Sequence, residues 1–433
     1  MDEWGIEPVP DRLRTLSLLD TGLLWTSLGL SLLVLVAGTV LVPALSLREA
    51  LLAIVVGGIF GNALLGAAAW IGAEARVPAM VLLRAPLGRN GSWLPTALNV
   101  VQNIGWTIFE VLVIAVAARA LVGGPLWLWK LVAAVAATVL ALVGPVGFVR
   151  QWVKRFALWV VLASLAYLTW WTLHDANLSA LWSQPGKGGF PTFWQGVDLM
   201  VAMPVSWLPL AADYTRFSRD GRSAFWGTAV GYLLPNVWLY ALGAVLLLTR
   251  GLADAPSVLT AIASGGAAAA IALVALVVDE SKVPFANVYS SAVSLQNVLP
   301  RAPQRLLIAI VGAVALLGAY LVDLVQYASF LLLLGSFFVP LFGVLLAQWL
   351  LGRRDDVPGV RVGQLAAWLA GSVVYQWLSP VGPSWWTTVV DHTHPGFGAV
   401  GGSLPSFAVS FVLSASLTLP SHAAARRHRT SRA

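Results

Sequence analysis

The chain has 433 residues, 58% of them apolar and 10% charged, with a formal net charge of +7 and no cysteine. Soluble domains carry about 25% charged residues, so this composition excludes an ordinary soluble enzyme or nucleic-acid-binding module and assigns the positive charge to the loops of a membrane protein. Without cysteine there are no disulfides, thiolate metal sites or thiol nucleophiles.

Apolar runs of about 18 or more residues follow one another along the chain, the mark of a polytopic helical membrane protein. A transmembrane β-barrel would show alternating segments of about ten residues, and these are absent. Residues 1–17 are polar and lack a cleavage site, so no signal peptide is expected. The predicted spans are 18–43, 47–73, 94–121, 126–149, 152–173, 193–213, 224–250, 260–283, 304–322, 325–351, 362–379 and 402–420. Part of the loop 74–93 is expected to be re-entrant.

Placing the N-terminus inside puts all but five of the 26 Lys and Arg on one side, among them Arg12, Arg14, Arg76, Arg84, Arg89, Arg150, Lys154, Arg155, Arg216, Arg219, Arg222, Arg301, Arg305, Arg353, Arg354 and Arg361. The five exceptions are Arg48, Arg119, Lys130, Lys187 and Arg250. The positive-inside rule then predicts both termini in the cytoplasm of a plasma-membrane protein. The basic tail 421–433 reads as a solvated or lipid-facing end, so no nucleic-acid partner is expected. His392 and His394 with Asp391 read as a solvated external loop, and no metal site is expected.

Two spans carry interruptions. The sixth holds Pro204 and Pro209 near its middle, where proline removes a donor and clashes with the carbonyl four residues back. In hydrocarbon, freed backbone groups must face protein or a water-filled cavity. The break therefore marks a binding site containing Ser206 and Trp207, although a kinked structural helix fits the same residues. The first span carries Thr26, Ser27, Gly29 and Ser31 at its centre. Five spans in 18–173 and five in 193–351 make two halves of opposite topology, with the interrupted helix first in each. That pairing is the sequence pointer to a secondary transporter. Residues 1–17, 362–420 and 421–433 are read as N-terminal segment, two added helices and tail.

Span 3 places Asn99, Gln102, Asn103, Trp106 and Glu110 on one face at three- and four-residue spacing. A polar stripe at that depth faces a cavity or another helix. Span 8 ends in Asp279, Glu280 and Lys282. These are either interfacial charges beyond a helix that ends at Val278, or a buried set with Asp279 and Lys282 paired at i, i+3.

IGA at 71–73, the Arg84–Gly88 loop, GSWLP at 91–95, GW at 105–106 and LAADYTRFSR at 210–219 resemble the nucleobase:cation symporter-1 family, which includes the purine–cytosine permeases. The resemblance runs over roughly residues 18–350. Residues 27–54, GWTIFE, and DE followed by PFANVYSSAVSLQN are most similar to its hydroxymethylpyrimidine transporters, which import the pyrimidine precursor of thiamine. The resemblance implies an all-α fold of about 12 transmembrane helices, a five-plus-five inverted repeat of the leucine-transporter type with two extra helices. It implies a flat heterocycle clamped between Trp106 and Trp207. Gln102 or Asn103 reads its edge, and Ser206, Glu110, Asp279 and Glu280 complete the substrate site. No catalytic residue or cofactor is expected, and the protein is expected to act as a monomer on a small heterocycle within the lipid bilayer. A cytosine, purine, allantoin or hydantoin permease, or a non-transporting receptor of the same fold, are the alternatives.

Sodium-dependent relatives use carbonyls of the broken first helix and two adjacent hydroxyl residues of helix 8. Those hydroxyl positions are Lys282 and Val283 here, and neither supplies a hydroxyl. The coupling-ion site therefore comprises Ser27, Gly29 and Lys282, with the Lys282 ammonium replacing sodium or carrying a proton. Proton-coupled or sodium-independent uptake is favoured over sodium coupling.

Overall fold

The computed structural model describes residues 7–143, 158–174, 176–298, 301–352, 357–393 and 400–430. Arg150, Lys154, Arg155, Arg353, Arg354, His394, the last residues of the tail and the facing ends of predicted spans 4 and 5 lie outside the described residues.

Helices begin where short polar side chains precede apolar runs. The hydroxyl of Ser17 accepts from Asp20 N (3.2 Å), and the Asp20 carboxylate accepts from Ser17 N (3.0 Å), starting α1, Leu18–Gly29. Ser46 with Glu49 starts α3, Leu47–Ala75, in the same way. Such reciprocal caps satisfy helix N–H groups that have no intrahelical partner, which matters most at a membrane boundary. Further along come α4 (Trp93–Val122), α5 (Leu126–Val143) and α6 (Leu158–His174). The second half holds α7 (Phe193–Val205), α8 (Leu208–Thr215), α9 (Gly221–Arg250), α10 (Ala255–Ser264), α11 (Ala267–Glu280), α12 (Lys282–Val298), α13 (Gln304–Leu321) and α14 (Tyr327–Leu351). Last are α15 (Val362–Leu378), α16 (Ser384–Thr393) and α17 (Ser403–Thr430). Between α3 and α4 the expected re-entrant segment forms two short helices, Ala79–Leu82 and Arg84–Leu87.

Among the described residues, Leu47–Ala75, Trp93–Val122, Gly221–Arg250, Gln304–Leu321 and Leu324–Leu351 are each long and apolar enough to cross a bilayer. The first predicted span makes a further one, broken into α1 and α2 (Leu32–Thr39) with a 60° bend. At the break Leu30 and Ser31 are extended, and the Ser31 hydroxyl caps α2 by accepting from Leu33 N (3.1 Å).

The predicted span 260–283 is drawn differently by the structure. Ala255–Ser264 is a separate short helix, and the apolar helix α11 continues past Ser281 as α12. Asp279, Glu280 and Lys282 thus sit at a joint inside one long element. Hydropathy falls after Val278 because α12 is polar on a buried side, not because the helix ends; Asn287 and Ser291 are buried there.

Three packing groups result. Helices α1, α2, α3, α7, α8 and α9 form one. Their backbones approach closely: a Cβ on Gly38 would meet the Tyr240 carbonyl, and one on Gly243 the Leu35 carbonyl. Helices α4, α5, α12 and α13 form the second, and α14, α15 and α17 the third. Asp198 on α7 joins the first group to the third by accepting from Gly402 N (2.6 Å) and Ser403 N (3.0 Å) at the start of α17. A strap ahead of α1 closes the opposite end. Leu16 pairs with Phe217 and Arg219 through backbone bonds of 3.1 and 3.0 Å. Arg14 donates to the carbonyls of Ser218 (3.1 Å) and Ala73 (3.2 Å).

Candidate functional site

A cavity lies where the first and second groups meet, at the breaks in both interrupted helices. It encloses about 460 Å³ of atom-free space, open solvent included. Trp106 and Trp207 both line it, as do Asn103, Glu110 and Ser206. The structure therefore gathers five residues from the polar stripe of span 3 and the break of span 6 into one place.

Each aromatic wall is held by other rings. Trp106 meets Tyr327 and Phe330 edge to face, with centroids 6.1 and 5.3 Å apart. Trp207 meets Trp25 at 5.8 Å in the same geometry and donates its Nε1–H to the Tyr232 hydroxyl at 2.7 Å. Edge-to-face pairs of this kind fix the orientation of the rings.

Gln102 and Asn103 stand differently toward the break between α7 and α8. Ser206 and Trp207 keep helical dihedrals, but the Leu210 N–H bonds to Trp207 O (2.9 Å) rather than to Ser206 O. Gln102 Nε2 donates to the Ser206 carbonyl at 3.1 Å and to Asn99 Oδ1 at 2.8 Å. Gln102 thus spends its Nε2 on the Ser206 carbonyl and Asn99 while its buried Oε1 has no partner, and it does not line the cavity. Asn103 does, fully buried, and both its amide nitrogen and its amide oxygen lack a partner. An unpaired buried amide costs about 1–3 kcal/mol per group, a cost a ligand removes on binding. Glu110, 2% exposed, also lines the cavity, and its buried Oε2 accepts from no donor.

Asp279 and Glu280 sit behind the lining rather than in it. Glu280 accepts from the Ser31 hydroxyl (2.7 Å), Leu32 N (2.8 Å) and Leu33 N (3.4 Å), capping α2. Lys282 Nζ donates to both oxygens of Asp279 (2.8 and 2.7 Å) and to the Ser27 carbonyl (3.3 Å), at the end of α1. A carboxylate thus faces the positive end of α2 and an ammonium the negative end of α1, each complementing a helix dipole. Ser27 joins this set. Gly29 lies apart, packed against Tyr232 and Pro235 of α9.

Two polar lining residues carried no sequence signal that was used: Tyr232 and Asn287. Asn287 follows Val283 by one helical turn and shares its face, so its spacing was available. Tyr232 was reachable only through the fold. Among the described residues there is no cluster of His, Cys, Asp and Glu fit for a metal ion.

Residues 8–358 match a family model described as permease for cytosine/purines, uracil, thiamine, allantoin. Cytosine permeases of Escherichia coli K12 and O157:H7 are each 25% identical over 327 residues, 73% of this chain and 74% of theirs. Mhp1, a nucleobase-cation-symport-1 family transporter, is similar in structure in its closed form with bromovinylhydantoin bound (TM-score 0.71, 21% identity, 95% of this chain and 93% of that one). Its inward-facing form gives a TM-score of 0.78 at 19% identity, covering 98% and 94%. At these identities the likeness concerns the fold: an all-helical, multi-pass membrane protein of the leucine-transporter type. The chain therefore belongs to the family of permeases for cytosine and purines, uracil, thiamine and allantoin, and is a transporter rather than an enzyme.

Proposed function

We propose that this chain imports a pyrimidine-type heterocycle across the plasma membrane by alternating access, with hydroxymethylpyrimidine as its substrate. The observation that carries this is the unpartnered amide of Asn103 on the cavity wall beside Trp106. A planar ring stacks on the Trp106 and Trp207 walls. The amide offers one donor and one acceptor side by side, the pattern with which asparagine reads an amino group and its neighbouring ring nitrogen. The Glu110 carboxyl on the same wall adds an acceptor for a further donor such as the hydroxymethyl group. Ser206 belongs to this lining, and Asp279 and Glu280 act through Lys282 and α2. Halves 18–173 and 193–351 form the moving repeats, and a monomer carries the whole site.

The experiment is uptake of radiolabelled hydroxymethylpyrimidine into cells lacking their own carriers, with unlabelled cytosine, allantoin and hydantoin as competitors. Saturable accumulation competed best by hydroxymethylpyrimidine itself is expected. Stronger competition by cytosine would move the substrate to the nucleobases, and hydantoin or allantoin would do the same for theirs. No uptake of any of them overturns the reading in favour of a receptor.

Both termini are placed in the cytoplasm on the charge asymmetry. A single Cys at Asp391 in this cysteine-free chain should label from outside with an impermeant thiol reagent, and one at Ser431 should not. The reverse pattern would invert the orientation.

Uptake is proposed to be sodium-independent and driven by protons. The ammonium of Lys282 stands between Asp279 and the Ser27 carbonyl, where a cation would otherwise complete the break.

A further inference from the structure

We propose that Glu110 holds the transported proton and passes it to Glu280 when substrate fills the cavity, so that occupancy is communicated to the break in the first helix. This rests on the reading of the chain as an importer.

Glu110 and Glu280 come from different elements, α4 and α11, and both are buried, 2% and 1% exposed. Their carboxyl groups lie within hydrogen-bond reach of one another. An ionised carboxylate only accepts hydrogen bonds, so a bond between two of them requires a proton on one. Glu280 is already an acceptor for the Ser31 hydroxyl and the N–H groups of Leu32 and Leu33. The proton that completes the pair therefore belongs on Glu110, as with paired carboxyl groups that share one proton elsewhere. The other charged and titratable groups facing the pair are Asp279 and Lys282 from α11 and α12, Tyr232 from α9 and Tyr327 from α14. Asp279 and Lys282 are spent on each other, with oxygens at 2.7–2.8 Å.

The arrangement is not merely an acidic cluster, because Glu110 also faces the ligand. It lines the cavity beside the unpartnered Asn103 amide. A substrate N–H or O–H that donates to Glu110 favours its ionised form. The proton then moves along the existing contact to Glu280, with no other bond made or broken. A protonated Glu280 is a weaker acceptor for the Leu32 and Leu33 N–H groups, so the cap on α2 loosens only when the cavity is filled. Release of substrate on the other side lets the proton leave with it and the cap re-form. Substrate and proton thus share one route because the same carboxyl group meets both.

Two measurements test this. The first uses purified, substrate-free protein: the infrared difference between wild type and Glu110→Gln at neutral pH should contain the carbonyl stretch of one protonated carboxyl. Absence of that band overturns the proposal, whatever the substrate proves to be. The second uses proteoliposomes with a trapped pH dye and cytosine and hydroxymethylpyrimidine as probes. Substrate entry should acidify the lumen in wild type and lose that acidification in Glu110→Gln, with Glu110→Asp restoring part of it. Undiminished acidification in a Glu110→Gln protein that elutes as a monodisperse species overturns the proposal. Failure of wild type to take up either probe, with the infrared band present, would instead count against the importer reading.

Discussion

Lys282→Ala is expected to abolish accumulation of substrate, whereas Lys154→Ala leaves it at the wild-type level. The ammonium of Lys282 contacts both oxygens of Asp279 and the Ser27 carbonyl. Removing one partner of a buried ion pair costs about 3–5 kcal/mol because the other charge is left without compensation. The cost here is lower than that, since the Lys282 side chain is 26% exposed while Asp279 is 6% exposed. Stability and transport are separated by a second variant, Asp279→Asn with Lys282→Met, which removes both charges together. It should recover folded protein in the membrane and still fail to accumulate substrate, because the last turn of α1 then has no cation at its carbonyl end. Normal accumulation by that double variant would show that the ammonium only neutralises Asp279. Wild-type uptake should be unchanged when sodium is replaced by choline and should fall at least tenfold when the proton gradient is collapsed. A strict need for sodium would place the coupling cation somewhere other than beside Lys282.

The contact of Lys282 with the first helix followed only from the resemblance to sodium-dependent relatives, whereas the Asp279–Lys282 pair was legible from sequence because register within a helix is rigid: residues three apart share a face, so the two had to meet if the helix continued. What the residues could not say was that it does continue. A drop in hydropathy after Val278 looks the same for a helix leaving the membrane and for one turning a polar face onto protein. The interrupted helices were legible because Gly29, Ser31, Pro204 and Pro209 act locally on the backbone. The division of labour between Gln102 and Asn103 was not, because adjacent residues differ in direction by about 100° on a helix of 3.6 residues per turn, and which direction finds the Ser206 carbonyl depends on a helix more than a hundred positions away. Tyr232 was invisible for the same reason. The spans themselves were read from the length of their apolar runs, whereas caps such as Ser17 and Ser46 emerged only with the fold.

Trp106→Ala is expected to weaken substrate binding by roughly 5- to 150-fold, the equivalent of about 1–3 kcal/mol for loss of one stacked ring. Uptake at low substrate concentration should fall accordingly, to near the background of empty cells. Trp106→Phe should keep part of the affinity, because a smaller ring still offers a face. The supporting rings Tyr327 and Phe330 stay in place in both variants, so folding is not expected to fail. Binding is measured directly by titrating purified protein with substrate, and uptake in cells in parallel. Wild-type affinity in Trp106→Ala would reduce this residue to packing between α4 and α14. The matching Trp207→Ala experiment is less clean, since it also removes the bond to Tyr232 and the contact with Trp25.

The strap ahead of α1 has a mechanical meaning. Arg14 is bonded at once to the last turn of α3 and to the turn before α9, and Leu16 is stitched to Phe217 and Arg219. A rod pinned at one end and jointed at Leu30–Ser31 cannot swing by itself. It transmits torque, and α3 and the α8–α9 corner must travel with it as one lever whose fulcrum is the joint gripped by Glu280 and Lys282. A bulky fusion spliced between Arg14 and Ser17 would cut that lever from its handle while leaving the cavity intact.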